Sequence, residues 1–456
     1  MRKINQDKNF FQVIIIGAGP SGLCCAYELV KNKVGPILIV EKGCNIAARD
    51  HKVSLKDYTE GVGGPGLYGD AKFCIYGRAG TKLTKFFSEN FLNQLANYAD
   101  GIFKRFDRNK TKKEAPSIFR IKKLRNICKK YGFELKMAYP VRHLGFPNGK
   151  KVIENFVKFL KNKKVDIWAD TSAEKIIKIR EGYKILLKQK EKIKIVKCKY
   201  LVNAVGRSGN RWLKQVCERF KIPFELNTPD IGVRVECPKN VLLPVYALVK
   251  NPRIELSIGK DYVKTHCLCI GGEIIVYQIG KIFLVDGHAN HREWGNAHLN
   301  LLYHSQENKE IFDLKIKRPI VQRMEDFFRN RPTGKERIIK NKLRVTTLLS
   351  FLECKKNINK IFPKKLILAI KKFIIQFDKI CPGFKDSDNL IYAPVIEWNT
   401  YQIKVNKEME TKLKNFYVVG DGNGLTQGII AASVSGIIAA RNIISKEKKA
   451  IQKDSP

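Results

Sequence analysis

The chain has 456 residues, 44% hydrophobic and 28% charged, which is the composition of a folded protein with room for about two to four domains and excludes a disordered or fibrous chain. Lys and Arg number 86 against 43 Asp and Glu, a formal charge of +43 that draws polyanions at long range; yet the lysines are spread along the chain with no RNP-like, zinc-finger or basic-zipper pattern, so a solvated basic surface is the plainer reading and nucleic acid is disfavoured as a partner. The twelve cysteines are scattered, no secretory-type segment opens the chain, and no apolar run approaches the roughly eighteen residues of a transmembrane segment, so the expectation is a soluble cytoplasmic protein with reduced thiols.

Residues 12–41, QVIIIGAGPSGLCCAYELVKNKVGPILIVE, read as a buried strand, a glycine turn, a helix and a second strand closing on Glu41. Gly17 permits the tight turn, Gly19 lets the backbone approach a pyrophosphate, and Gly22 with Ala26 lets the helix lie close on the strand. Pro20 and Ser21 open that helix, whose N-terminus offers N–H groups and partial positive charge to a diphosphate. Glu41, followed by Lys42, falls 19 residues after Gly22, where a carboxylate accepts from the adenosine ribose hydroxyls. The unit predicts an adenine dinucleotide, FAD or NAD.

Residues 61–70, GVGGPGLYGD, suit neither a core strand nor a core helix. Gly61, Gly63, Gly64 and Gly66 are expected to form a loop whose amides approach the cofactor, framed by Asp70 and Lys72; the bland alternative is a mobile surface loop. A helical insert or lid is expected over 81–139. An amphipathic helix and short alternating strands fill 152–206, the last ending at Ala204, Val205 and Gly206.

Strand-like stretches and then a lysine-rich helical region mark 215–385 as a substrate domain, largely antiparallel sheet with helices. In THCLCIGG, strand alternation places His266 and Leu268 on one face and Cys267 and Cys269 on the other: a thiol pair, a flavin contact, or small buried hydrophobes. No second ligand pair at matching spacing supports zinc, and no metal is expected. His288, His291, Arg292 and His298 are candidates for anion binding or proton transfer, or are plain loop residues. Arg234 is a candidate carboxylate or phosphate clamp, or a salt-bridge partner of Glu236 or another acid.

Near the end, NFYVVGDGNGLTQGIIAASVSGIIAARNI gives a strand, a turn with Gly420 and Asp421, and a long helix of small residues. The N-terminus of that helix, at Gly428, Ile429 and Ile430, can stabilise negative charge on a bound group, and Ala431, Ala432, Ser433, Ser435 and Gly436 suit close packing.

These last segments resemble the later motifs of FAD-binding flavoproteins of the glutathione-reductase type, which implies that the A-x-G turn at Ala204–Gly206 lies near the dinucleotide and that Asp421 meets its ribityl and pyrophosphate region. Read in order, GVGGPGLYGDAKF, PVRHLG, IGVRVECP, THCLCIGG and GDGNGLTQGI are similar to an uncharacterised FAD-dependent dehydrogenase family of bacteria and archaea over residues 12–442. The chain departs from that pattern at Gly69-Asp70-Ala71-Lys72, where the family tends to Ser-Asp-Gly-Lys, and at Glu397-Trp398-Asn399, where it tends to Glu-Thr-Arg. The resemblance implies an α/β fold with an α+β inserted domain: a Rossmann-like FAD-binding domain with parallel sheet and β-meander over 1–80, 140–214 and 386–456, and a mixed or antiparallel substrate domain over 215–385. It implies an FAD-dependent oxidoreductase moving a hydride between a small-molecule substrate and flavin N5. No second GxGxxG follows a strand between residues 80 and 415, so NAD(P)H or another electron partner is expected only transiently. The alternatives are a geranylgeranyl-reductase-like alkene reductase, a flavin monooxygenase, and an RNA-associated or redox-sensing flavoprotein.

Overall fold

The computed structural model describes residues 9–50, 55–280, 282–289, 295–307, 316–398 and 400–453. His291, Arg292 and Asn399 lie outside the described residues. Two compact units emerge, the first from 1–111, 147–226 and 400–456, the second from 112–146 and 227–399.

In the first unit, β1 (Phe10–Ile16), α1 (Pro20–Lys31) and β2 (Ile37–Val40) form the expected βαβ element, both strands nearly continuous in apolar residues because helices and sheet neighbours cover them. The chain continues through α2 (Gly64–Tyr68), α3 (Glu89–Lys104), α4 (Asn148–Asn162), β3 (Asp166–Trp168), β4 (Thr171–Ile179), β5 (Gly182–Gln189), β6 (Lys192–Asn203), β7 (Phe416–Val418) and α5 (Ile429–Lys453). One seven-stranded sheet has the order β3-β2-β1-β6-β5-β4, with β7 also on β6. The twelve-residue β6 joins two architectures: its first half pairs antiparallel with β5 as the edge of a meander, and its second half runs parallel to β1 and β7.

In the second unit a seven-stranded sheet is antiparallel throughout, in the order Ile320–Arg323, Leu390–Glu397, Asp230–Pro238, Asn296–His304, Asp261–Ile270, Arg253–Ile258, Glu134–Met137. A hairpin of Gly272–Ile279 and Ile282–Ala289 accompanies it, with helices Ile118–Lys130, Lys239–Leu248 and Lys364–Phe377.

Four sequence expectations change. The insert expected over 81–139 is not one body, because α3 falls in the first unit while Ile118–Lys130 falls in the second; and residues 390–397, expected in the cofactor domain, form a central strand of the antiparallel sheet. The lysine-rich stretch after 316 is helical mainly over Lys364–Phe377. Finally, α5 is long and apolar enough by composition to cross a membrane, which a search for unbroken apolar runs misses because Ser433, Ser435, Gly436, Arg441 and Asn442 interrupt the run while its Ile, Val and Ala residues keep the mean hydropathy high; 78% of its apolar window is buried in the protein, as a core helix would be.

Candidate dinucleotide site and a buried arginine cluster

Register places three turns side by side. Ile16 pairs with Asn203 and Asn203 with Val418, so the turns after β1, β6 and β7 leave the same C-terminal edge of three adjacent parallel strands, the edge where open α/β sheets bind ligands. The turns also touch. A methyl group at Gly17 (φ +111°) would overlap the Ala204 carbonyl, and one at Gly422 would sit 2.9 Å from the Gly206 carbonyl oxygen. Gly22 lies against the Gly17 carbonyl, while Gly420 (φ +75°) and Gly436 both lie against Ser21, so α5 packs on the start of α1. The Gly420 N–H donates to Ser435 Oγ at 2.8 Å, and Ser433 Oγ donates to the Ile429 carbonyl at 2.7 Å.

Gly19, Gly206 and Gly428 behave differently: a Cβ at any of them would meet nothing within 4 Å. Gly19 caps α1 with no capping side chain, and Pro20 at the first helical position brings no N–H, so the N–H groups of Ser21 and Gly22 have no intrahelical partner. Buried polar atoms without a partner among the described residues include, in this unit, Asn203 Nδ2 and Oδ1, at the last position of β6, and Thr426 Oγ1, in the loop before α5. Thr426 lies within GDGNGLTQGI and Asn203 just before the A-x-G turn, but sequence reasoning singled out neither side chain. Asp421 is half-buried; burial raises its carboxyl to about 6, against the opposing pull of Arg207 Nε at 4.0 Å and a weak bond from the Gly428 N–H.

Glu41 is buried and engaged by the backbone: Oε2 accepts from Ala18 N at 2.8 Å, and Oε1 from Gly43 N at 2.9 Å and Gly61 N at 3.0 Å. Three of about four lone-pair sites are thereby used. Glu41→Gln is expected to lower the urea midpoint of unfolding by an amount worth about 2 kcal/mol, because one amide oxygen cannot replace both carboxylate oxygens and an NH2 would face an N–H. An unchanged midpoint would mean that these three bonds are not holding the turn. Lys42, 61% exposed at its side chain, pairs with Glu60 at 2.8 Å.

The glycines of 61–66 meet protein atoms. A Cβ at Gly61 (φ +118°) would come 2.8 Å from Arg49 Nε, one at Gly63 would overlap Ile153, one at Gly64 (φ +66°) would sit 3.2 Å from Gly19 Cα, and one at Gly66 would sit 2.9 Å from Ile429 Cγ1. Gly63 N donates to the Ala18 carbonyl at 2.9 Å. The segment is therefore wedged between the first glycine turn and the start of α5. At its centre is Arg49, which sequence reasoning missed. Only 2% exposed, it donates to the carbonyls of Asp57 (2.9 Å), Val62 and Gly64 (both 3.0 Å) and Tyr58 (3.2 Å), and lies 4.1 Å over the Tyr68 ring. Burial lowers its guanidinium to about 10, so it stays charged at neutral pH. Asp70 and Lys72 pair with each other at 3.0 Å.

In the second unit Arg234 has no exposed surface. Its Nε donates to His298 Nδ1 at 3.1 Å, Nη1 to Asn300 Oδ1 at 2.6 Å and Asp286 Oδ1 at 3.2 Å, and Nη2 to the Cys267 carbonyl at 3.3 Å and Cys269 Sγ at 3.7 Å, with a second short contact to His298 Nδ1. An arginine only donates, so His298 carries its proton on Nε2. Gly287 makes room: a Cβ there would lie 2.5 Å from Arg234 Nη2. The acid that pairs with Arg234 is Asp286 and not Glu236, which is held by Asn296 Nδ2, Thr346 Oγ1 and Tyr392 OH at 2.9, 2.7 and 2.6 Å. Burial raises its carboxyl.

The alternation expected for THCLCIGG is broken. The register against Asn296–His304 shifts between His266 and Cys269, Cys267 takes φ +52°, and Leu268 N leaves the ladder for Asn251 Oδ1 at 3.1 Å. Cys267 and Cys269 Sγ come to 3.8 Å, while His266 pairs in register with Asn300. His288 lies in the strand Ile282–Ala289, not in a loop.

Among known proteins, residues 15–69 match the family described as NAD(P)-binding Rossmann-like domain. No curated protein matches the chain. Solved structures similar to it include a flavoprotein/dehydrogenase from Cytophaga hutchinsonii, 10% identical over 96% of this chain and 79% of that one with a TM-score of 0.44. The flavin-dependent brominase Bmp2 is 14% identical over 96% and 79%, with a TM-score of 0.47, and a geranylgeranyl bacteriochlorophyll reductase-like protein from Thermoplasma acidophilum is 14% identical over 98% and 84%, with a TM-score of 0.40. Each is a distant likeness. By its own strand order and by the match over 15–69, the first unit contains a Rossmann-like domain.

Proposed function

We propose that the chain is an FAD-dependent oxidoreductase whose first unit holds the dinucleotide along the C-terminal edge of β1, β6 and β7. The observation that carries this reading is the contrast among the glycines of that edge: Gly19, Gly206 and Gly428 face open space, while Gly17, Gly22, Gly420 and Gly436 are pressed against protein. The second group is needed for packing. The first has no such need: Gly206 (φ +63°) and Gly428 (φ +84°) answer to a left-handed backbone, which leaves Gly19, extended and bared beside an uncapped helix start, as the position that suits a close-lying diphosphate.

In this reading the N–H groups of Ser21 and Gly22 hold the diphosphate, Glu41 keeps the glycine turn in shape and offers its remaining acceptor site to a ribose hydroxyl, and Asp421 accepts from hydroxyls of the ribityl chain. The start of α5, at Ile429 and Ile430, supports negative charge on the ring system. Asn203 and Thr426 supply polar groups that a bound molecule would satisfy. FAD held there supplies two-electron hydride chemistry at N5. The match over 15–69 favours a second reading, a nicotinamide dinucleotide in the same cradle, which the same experiment separates from the first.

Purified protein is expected to show flavin absorbance, or to acquire it on titration with FAD, and Gly19→Val to abolish that uptake while leaving the thermal midpoint within a degree or two. Gly19 is extended (φ −76°, ψ −176°), a conformation valine adopts, and its Cβ direction is open. Gly17→Ala is the opposite control, expected to unfold the domain through its overlap with the Ala204 carbonyl. Uptake of NAD in place of FAD would select the second reading, and a Gly19→Val protein with normal FAD content would overturn this placement of the dinucleotide.

A further inference from the structure

We infer that Cys267 and Cys269 form a redox-active dithiol on the β-bulge of the second unit, with Arg234 stabilising the thiolate, independently of any flavin in the first. Three observations converge. The sulfurs are 3.8 Å apart because Cys267 adopts φ +52° where the register slips, a conformation uncommon for a non-glycine residue. Arg234 aims Nη2 at Cys269 Sγ, 3.7 Å away, and the only carboxylate paired with this fully buried guanidinium among the described residues is Asp286. The two thiols also differ in access, Cys267 being half-buried and Cys269 buried. A cation beside a thiol favours its thiolate, which is the nucleophile in exchange. The other cysteines whose thiols are fully enclosed, such as Cys24, Cys25 and Cys198, are pushed up by burial and have no such cation.

The co-reactant is a low-molecular-weight disulfide, RSSR. The Cys267 thiolate attacks one of its sulfurs, breaking the S–S bond and releasing RS−. The Cys269 thiolate then attacks Cys267 Sγ, closing the protein disulfide and releasing the second RS−. The two protons given up by the cysteines end on the two RS−, so the dithiol loses two electrons and RSSR becomes two RSH.

The test uses the full chain, reduced and freed of reductant, then titrated with glutathione disulfide, alkylated and digested with trypsin. The fragment 265–281 contains Cys267 and Cys269 and no other of the twelve cysteines. It is expected to lose both alkyl groups and two mass units before any other cysteine reacts, and to recover both on reduction. Cys269→Ser is expected to stop at a stable glutathione adduct on Cys267, with the fold checked by circular dichroism. Asp286→Asn, which leaves the guanidinium charge uncompensated beside the sulfurs, is expected to raise the alkylation rate of this fragment at pH 7 by about threefold or more. Fragment 265–281 remaining doubly alkylated while other cysteines oxidise, or holding a glutathione adduct in the unmodified chain without closing the ring, would overturn the proposal. An unchanged rate in Asp286→Asn would remove Arg234 from it.

Discussion

Arg49→Ala is expected to destabilise the protein by about 3–5 kcal/mol and to open the segment 55–69 to proteolysis. The guanidinium is 2% exposed and gives hydrogen bonds to four carbonyls, of Asp57, Tyr58, Val62 and Gly64, drawn from a single 3-10 turn (Leu55–Tyr58), the loop after it and the first residue of the five-residue α2. Carbonyls in a buried loop must be satisfied by something, and here one side chain does the work of a ladder. Alanine would leave them unpaired, with a cavity over the Tyr68 ring. Arg49→Lys keeps the charge but not the planar fork, and is expected to recover less than half of the loss. Because Gly64 packs on Gly19 and Gly66 on Ile429, the damage should spread to the edge proposed for the dinucleotide, and on that proposal FAD affinity should fall together with stability. Urea unfolding and limited proteolysis read the two effects. A change below about 1 kcal/mol would mean that the loop holds itself without the arginine.

The part of the molecule that was legible in the sequence is the part written in local periodicity. The strands at Val13–Ile16 and Ile37–Val40 are apolar because both faces are covered, and the glycines between them sit at fixed offsets because helix and strand must touch; pattern alone gives β1, α1 and β2. The pairing of β6 with β1 and β7 was reachable too, since A-x-G and G-D turns after apolar strands mark the same edge. Arg49 was not legible, because its four partners are backbone carbonyls that carry no residue signature. The bulge at Cys267 was missed for a related reason: alternation assumes an unbroken ladder, and the Asn251 side chain that takes Leu268 N out of it lies seventeen residues away. Glu41 was found in the right place, yet its carboxylate turned to three backbone N–H groups, one of them from Gly61, twenty residues on. The unit boundaries were obscured because each unit is assembled from separated stretches, with no linker composition at the crossings.

Asp421→Asn is expected to raise the stability of the cofactor-free protein at pH 8 by about 2–3 kcal/mol and to leave it unchanged near pH 4, while weakening FAD binding. Burial raises this carboxyl from 3.8 to about 6, more than Arg207 and the Gly428 N–H lower it, so the folded protein binds the proton more tightly than the unfolded chain does. Above about pH 6 the ionised carboxylate therefore opposes folding; the opposition fades as the pH falls through that value and is gone below 3.8, where the aspartate is protonated in both states. Asparagine has no charge to desolvate and removes the term throughout. A side chain that costs stability at neutral pH, beside the exposed Gly428 that precedes α5 and facing Arg207, has the character of a group kept for a ligand. Hydroxyl donors from that ligand would favour the ionised form, so FAD should bind the unsubstituted protein more tightly above pH 6 than below it, and Asp421→Asn should flatten that dependence. Thermal midpoints at the two pH values and FAD titrations across pH 5–8 decide the matter: a variant that gains no stability at pH 8, or that keeps the pH dependence of binding, would remove Asp421 from the cofactor edge.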